Sequence, residues 1–286
     1  MVIAVLARLA SSFRYRRDRL LDRLVTVRPG MSRVHLRDLL TLSGTLRKLR
    51  FGDELILEIP HPGIGDHLMY SGLPELVVGS GAFRRVLIST RSRRRNPEIL
   101  DLIWRSNPFV AGFTSRSGWR NSGYRREGSS FLDGLVFQFS GVYPEPGTTG
   151  PKLYGPAATG DGPAVIDLQR VSNRHSLDPR IIAQYLAGAL GESPIVAYES
   201  ELLTEVLSSS PVLSALVRSG SIGLRSREAA LRDYFERIRH ASRLYSLYSG
   251  GAMIAAAFGV PCTVFCEFRD PAISFRLQDY IVAKPA

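Results

Sequence analysis

Cysteine is nearly absent from this chain of 286 residues; Cys262 and Cys266 are the only two. A pair of cysteines builds no disulfide framework, and the C-x3-C spacing matches no zinc or redox motif, so a reducing cytoplasmic setting is expected. Long apolar runs are missing too. Nothing approaches the roughly 18 consecutive apolar residues that span a bilayer, which excludes an integral helical membrane protein. The five histidines, at 35, 61, 67, 175 and 240, show neither H-x3-H nor H-E-x-x-H spacing, and no Asp-x-Asp pair occurs. No G-x-S-x-G elbow and no P-loop occur either. The sequence therefore supports no resident metal or cofactor, no serine hydrolase and no P-loop NTPase. Lysine is scarce, with 3 among 37 basic residues, a skew that a GC-rich genome explains as well as selection for arginine chemistry.

What is present is globular: 44% hydrophobic and 22% charged residues, enough for two modest domains or one large one. The net charge of +11 is unevenly placed. Residues 1–50 hold 12 Arg or Lys against 3 Asp or Glu, and residues 91–126 hold 9 against 2, while the remaining stretches are net acidic. A nucleic-acid binder spreads its charge over the functional fold, so nucleic acid is not an expected partner. Leu6, Leu9, Phe13, Leu20 and Leu24 recur at near-helical spacing among Arg14, Arg16, Arg17, Arg19 and Arg23. Two readings stay open: a helix packed on the main body, or a basic amphipathic helix in which residues 1–24 lie on an anionic membrane face. The arginines that follow the apolar start argue against a cleaved signal peptide.

From residue 51 the pattern alternates. A strand over Glu54–Pro60 enters His61-Pro62-Gly63-Ile64-Gly65-Asp66-His67 and leaves as a helix through Val78. Arg85–Thr90, Phe109–Phe113 and Leu135–Phe139 read as strands, with a helix over Pro97–Arg105 and a long basic loop over 114–130. The Pro- and Gly-rich stretch 144–163 marks an interdomain linker and a hinge. A second α/β half follows: strands Ala164–Leu168, Ile195–Tyr198 and Cys262–Cys266, helices Pro179–Leu190 and Arg227–Ser242, and a small-residue helix after Ser249-Gly250-Gly251. Alternating strands and helices imply parallel sheets covered on both faces. The fold class is α/β: two Rossmann-like domains, 51–150 and 151–286, behind a basic helical extension, 1–50. In such folds a helix N-terminus at a strand's carboxyl end favours an anion. Asp66 in the first loop fits a proton-accepting carboxylate at a cleft mouth, or only a helix cap.

Three segments resemble the heptosyltransferase-like glycosyltransferases of family 9, which have the two-domain GT-B fold. They are Gly63-Ile-Gly-Asp66-His67 with Leu73-Pro74, the stretch from Ile166 through Ser172 to Tyr185, and Tyr248 through Pro261. The last resembles the family's D-[ST]-G-x-x-H-x-A-A-x-G-x-P signature, and together they cover roughly residues 52–268. The resemblance implies an acceptor domain over 51–150 and a nucleotide-sugar donor domain over 151–286. It implies Asp66 as general base for an inverting, metal-independent transfer, with Gly63, Gly65 and His67 in the acceptor-side loop. Arg170, Ser172, Arg174, Ser249, Gly250 and Gly251 fall on the donor-phosphate side. The expected partners are a nucleotide-sugar donor and a glycan or lipid-linked acceptor of the cell envelope, handled in the cytoplasm or at the inner membrane face. Two positions depart from the signature: Tyr248 stands for its aspartate and Met253 for its histidine. That departure opens the alternative of a non-catalytic nucleotide- or sugar-binding or interaction protein derived from the same fold.

Overall fold

The computed structural model describes residues 54–79, 81, 83–118, 150–169, 177–191, 194–269, 275 and 278–284. The extension 1–50 with its membrane-facing reading, the part of the basic loop beyond 118 and the strand expected at Leu135–Phe139 lie outside the described residues.

The first half is a parallel sheet of three strands. Strand β1 (Glu54–Leu57) leads through the Gly63 turn into α1 (Ile64–Ser71) and α2 (Leu73–Gly79), then β2 (Arg85–Ser89) and β3 (Val110–Thr114). The spatial order is β1-β2-β3. Between β2 and β3 the expected helix appears with a difference, because Leu100–Arg105 winds as a wide π-type turn. π-type turns often re-aim a side chain, and this one seats Trp104, which is fully buried. Trp104 donates Nε1–H to His67 Nδ1 at 2.9 Å. The other imidazole nitrogen therefore carries the proton and donates to the Arg93 carbonyl at 2.7 Å.

The second half carries six parallel strands. They are β4 (Ala164–Asp167), β5 (Ile195–Tyr198), β6 (Ile222–Arg225), β7 (Leu244–Leu247), β8 (Cys262–Cys266) and β9 (Gln278–Val282). Helices α3 (Pro179–Ala189), α4 (Glu201–Ser208), α5 (Pro211–Arg218), α6 (Leu231–His240) and α7 (Gly250–Phe258) make the crossovers. The order is β6-β5-β4-β7-β8-β9, which within the half reads 3-2-1-4-5-6. That is the doubly wound nucleotide-binding order, whose direction of winding reverses between the first and fourth strands, here β4 and β7. Strands β4, β7 and β8 are buried at every residue, as their apolar runs require in a sheet covered on both faces. Cys262 and Cys266 are free and buried in β8.

The halves share one apolar cluster. It includes Leu57, Leu68 and Trp104 from the first half and Tyr234, Met253, Ile254 and Val264 from the second. The described part of the 144–163 linker is tied down at both ends. Lys152 Nζ and the Tyr154 hydroxyl reach Glu75 Oε2 at 2.6 and 2.8 Å in the first half. Thr159 N and Gly162 N donate to the Arg239 and His240 carbonyls of α6 at 3.2 and 2.7 Å.

Burial pushes the His67 imidazole below its ordinary value, and the opposing pulls of the Arg93 carbonyl and Asp66 do not restore it. The unfolded chain takes up this proton near pH 6.5, whereas the folded chain does so only at lower pH. The stability contributed is therefore complete above about pH 6.5 and drains away as pH falls below it. Thermal melts between pH 7.5 and 5.5 should show the loss. His67→Gln, which keeps an acceptor for Trp104, should flatten the slope, and identical slopes in both proteins would exclude the assignment.

Candidate functional site

Two loop-to-helix turns meet where the carboxyl ends of the sheets face each other. In the first half, Gly63 is the residue before α1, and its N–H donates to Asp66 Oδ2 at 3.0 Å. A Cβ on Gly63 would stand 2.6 Å from that oxygen, so a side chain there would push the carboxylate from its present place. Asp66 is thus a cap of its own helix and a half-buried carboxylate. His67 faces inward, fully buried, with both ring nitrogens engaged by Trp104 and Arg93. It fixes the loop's conformation and presents no free nitrogen to a substrate.

In the second half, Ser249 caps α7 by accepting from the Ala252 N–H, and its hydroxyl also pairs with Ser246 Oγ at 2.9 Å. Gly259, at φ 76° in the left-handed region, ends the helix. The signature-like segment is therefore a complete helix with its own start and stop, set directly after β7 at the reversal point of the sheet.

The first turns of α1 and α7 touch. A Cβ on Gly65 would lie 3.7 Å from Gly250 Cα and 3.5 Å from Met253 Cγ. A Cβ on Gly250 would overlap Ile64 Cγ2. Two helix N-termini, each carrying roughly half a positive charge, are thereby pressed together. Met253, at the signature histidine's position, is 7% exposed and closes the seam against Gly65. Tyr248, at the signature aspartate's position, stacks its ring 5.6 Å from that of Tyr280.

The far side of α7's first turn holds a cluster that sequence reasoning missed. Asp167, the last residue of β4, is 2% exposed. It accepts from the Tyr234 hydroxyl, from Gln169 N at 3.2 Å and from Arg227 Nη2 at 3.4 Å. The Arg227 guanidinium lies 4.2 Å above the Tyr234 ring and also donates to Gln169 Oε1 at 3.2 Å. Burial, reinforced by Asp167, drives the Tyr234 phenol well above its ordinary value, so it stays a donor. A Cβ on Gly251 would overlap the Tyr234 hydroxyl and lie 3.5 Å from Asp167 Oδ2. The chain thus places its own carboxylate beside the anion-favouring end of α7. The available signal was an aspartate closing an otherwise apolar strand run; Tyr234 read as one more apolar position of its helix.

Arg170, Ser172 and Arg174, expected on the donor side, lie outside the described residues. Among the described residues no group of three or more His, Cys, Asp or Glu could hold a metal ion, and no helix is long and apolar enough to cross a membrane.

No protein-family profile matches the sequence, and no curated protein matches it. Solved structures do. The ADP-heptose lps heptosyltransferase II of E. coli superposes with a TM-score of 0.53 at 13% identity, over 79% of this chain and 90% of that one. The family 9 glycosyl transferase of Veillonella parvula DSM 2008 superposes with a TM-score of 0.52 at 10% identity, over 83% and 87%. The chain has the fold of family 9 glycosyltransferases. The two Rossmann-like halves expected from the alternating pattern stand as expected, with divergence in sequence as large as the identities indicate.

The glycine contacts carry a test. Gly250→Ala should force Ile64 aside and cost about 1–3 kcal/mol, as overpacking does. Combining it with Ile64→Ala should recover more than the separate losses predict, because the two side chains compete for one space. Simple additivity in denaturant melts would show that these turns do not touch in solution.

Proposed function

We propose that the protein transfers a sugar from a nucleotide-sugar donor to a glycan or lipid-linked acceptor, with Asp66 as general base and inversion at the anomeric carbon. The observation that carries this reading is the apposition of the Asp66 turn and the Gly250–Gly251 turn at the carboxyl ends of two parallel sheets. In the step, Asp66 takes the proton of an acceptor hydroxyl and that oxygen bonds to the anomeric carbon. The bond to the departing diphosphate oxygen breaks on the opposite side. The N–H groups of α7's first turn, freed when the facing turns part, stabilise the charge that develops there. Arg170, Ser172 and Arg174 are proposed to add cationic and hydroxyl contacts to the same diphosphate. No step calls for a metal ion. The turns now in contact must part to admit both substrates. The acceptor's place in the cell envelope and the inner membrane face as the site of action belong to the same proposal.

One observation favours a second reading. Asp167 and Tyr234 already occupy one flank of α7's first turn, and Met253 seals the other. A fold that has lost its donor and binds a partner or a neutral sugar would look like this.

Asp66→Asn separates the readings once transfer is detected. The amide keeps an acceptor for the Gly63 N–H, so folding should be intact, while transfer should fall by about 10²–10⁴-fold. Undiminished transfer would refute the base assignment. A thermal-shift panel of nucleoside diphosphates and nucleotide sugars tests the donor side. A ligand at about 100 times its dissociation constant adds about 2.7 kcal/mol of stability. Asp167→Asn should bind the same ligand about tenfold tighter by removing a competing negative charge. No shift in either protein with any of these compounds would favour the non-catalytic reading.

A further inference from the structure

We infer that Glu98 is an interdomain clasp that holds the two halves together. Helix α6 needs one. Its N-cap position is Ala230, whose side chain accepts no hydrogen bond. By contrast α3, α4, α5 and α7 are capped locally, by Asp178, Ser200, Ser210 and Ser249. The missing acceptors for α6 come from the other half of the molecule. Glu98 Oε1 accepts from Leu231 N at 3.2 Å, and Oε2 accepts from Arg232 N at 3.0 Å. One carboxylate thus serves two of the orphan N–H groups of the first turn and sets its charge against the positive end of the helix dipole. Its own base is fixed, because Glu98 N donates to Asn96 Oδ1 at 2.8 Å.

The clasp reaches the site through one turn of helix. Tyr234 follows Leu231 by three residues and donates to Asp167, beside Gly251. Ile64 and Gly65 press on Gly250 at the other contact between the halves. Parting the halves therefore exposes both the apolar seam and an uncapped α6. The apposed arrangement of the halves is favoured by the chain's own groups. This inference concerns closure alone and stands whether or not the chain transfers sugar.

The experiment is hydrogen exchange on the full ligand-free chain, with small-angle scattering on the same samples. The reporters are the amides of His67 and Met253, which bond to Gly63 and Ser249 in the facing turns and do not touch Glu98. In Glu98→Ala they should exchange about fivefold faster, the factor that one cap-sized interaction carries, and the radius of gyration should rise. Adding Ala230→Ser gives α6 a cap of its own. The α6 amides should then recover protection while those of His67 and Met253 stay fast. Unchanged His67 and Met253 exchange in Glu98→Ala overturns the proposal. So does full recovery by Ala230→Ser, because Glu98 would then act only as a helix cap. Should Glu98→Ala fail to fold, Glu98→Gln retains one acceptor oxygen and should show the same pattern at smaller size; wild-type exchange there also overturns it.

Discussion

Two positive helix ends in van der Waals contact are an awkward thing to build, and much of the molecule is arranged around that contact. Gly65 and Gly250 make it sterically possible, since a side chain at Gly250 would overlap Ile64. Carboxylates make it electrostatically tolerable. Asp66 folds back on the start of α1, and Asp167 stands beside the first turn of α7. A third carboxylate, Glu98, does the same service for α6 from across the interface. Each is worth about a kilocalorie at most where water reaches it, and more where it does not. Asp167, at 2% exposure, belongs to the second kind.

The doubly wound order explains why the contact falls where it does. Winding reverses between β4 and β7, so the loops leaving those strands diverge and open a crevice at their carboxyl ends. Asp167 ends β4 and Ser249 follows β7, so both lie at that reversal point although 82 positions apart in sequence. The facing half presents Asp66 from the loop after β1, the end strand of its described sheet. Rigid elements at both walls fix the approach, and the strap over 150–162, bonded to Glu75 on one side and to α6 on the other, keeps the walls in register.

Much of this was legible in the sequence. Strands such as Ile195–Tyr198 and Cys262–Cys266 are short runs of apolar, largely β-branched or aromatic residues, and they form as read. Ser249 and Gly259 bracket α7 with an N-cap hydroxyl and a left-handed glycine, both local signals. What stayed hidden is what depends on distant partners. The π-type turn at Leu100–Arg105 is matched to His67, a residue 37 positions from Trp104. The bond between Asp167 and Tyr234 spans 67 positions, and the Glu98 contacts span 133 and 134. A tyrosine among Leu231, Phe235 and Ile238 carries no mark of the hydroxyl's role, because helical periodicity records which face is buried and says nothing of what the buried face bonds to.

On the proposed reading, Asp167 and an incoming anion compete for the same positive end of α7. An anion on α7's first turn would be repelled by Asp167, a repulsion that the Arg227 and Tyr234 contacts of that carboxylate reduce. Tyr234 on α6 helps to hold that carboxylate in place. The start of α6 is in turn held by Glu98 of the other half. The contact between the halves and the Asp167 contact are thus linked through one helix, which carries the first at its first turn and the second one turn further on. The positive ends of α6 and α7 already face carboxylates of the chain itself.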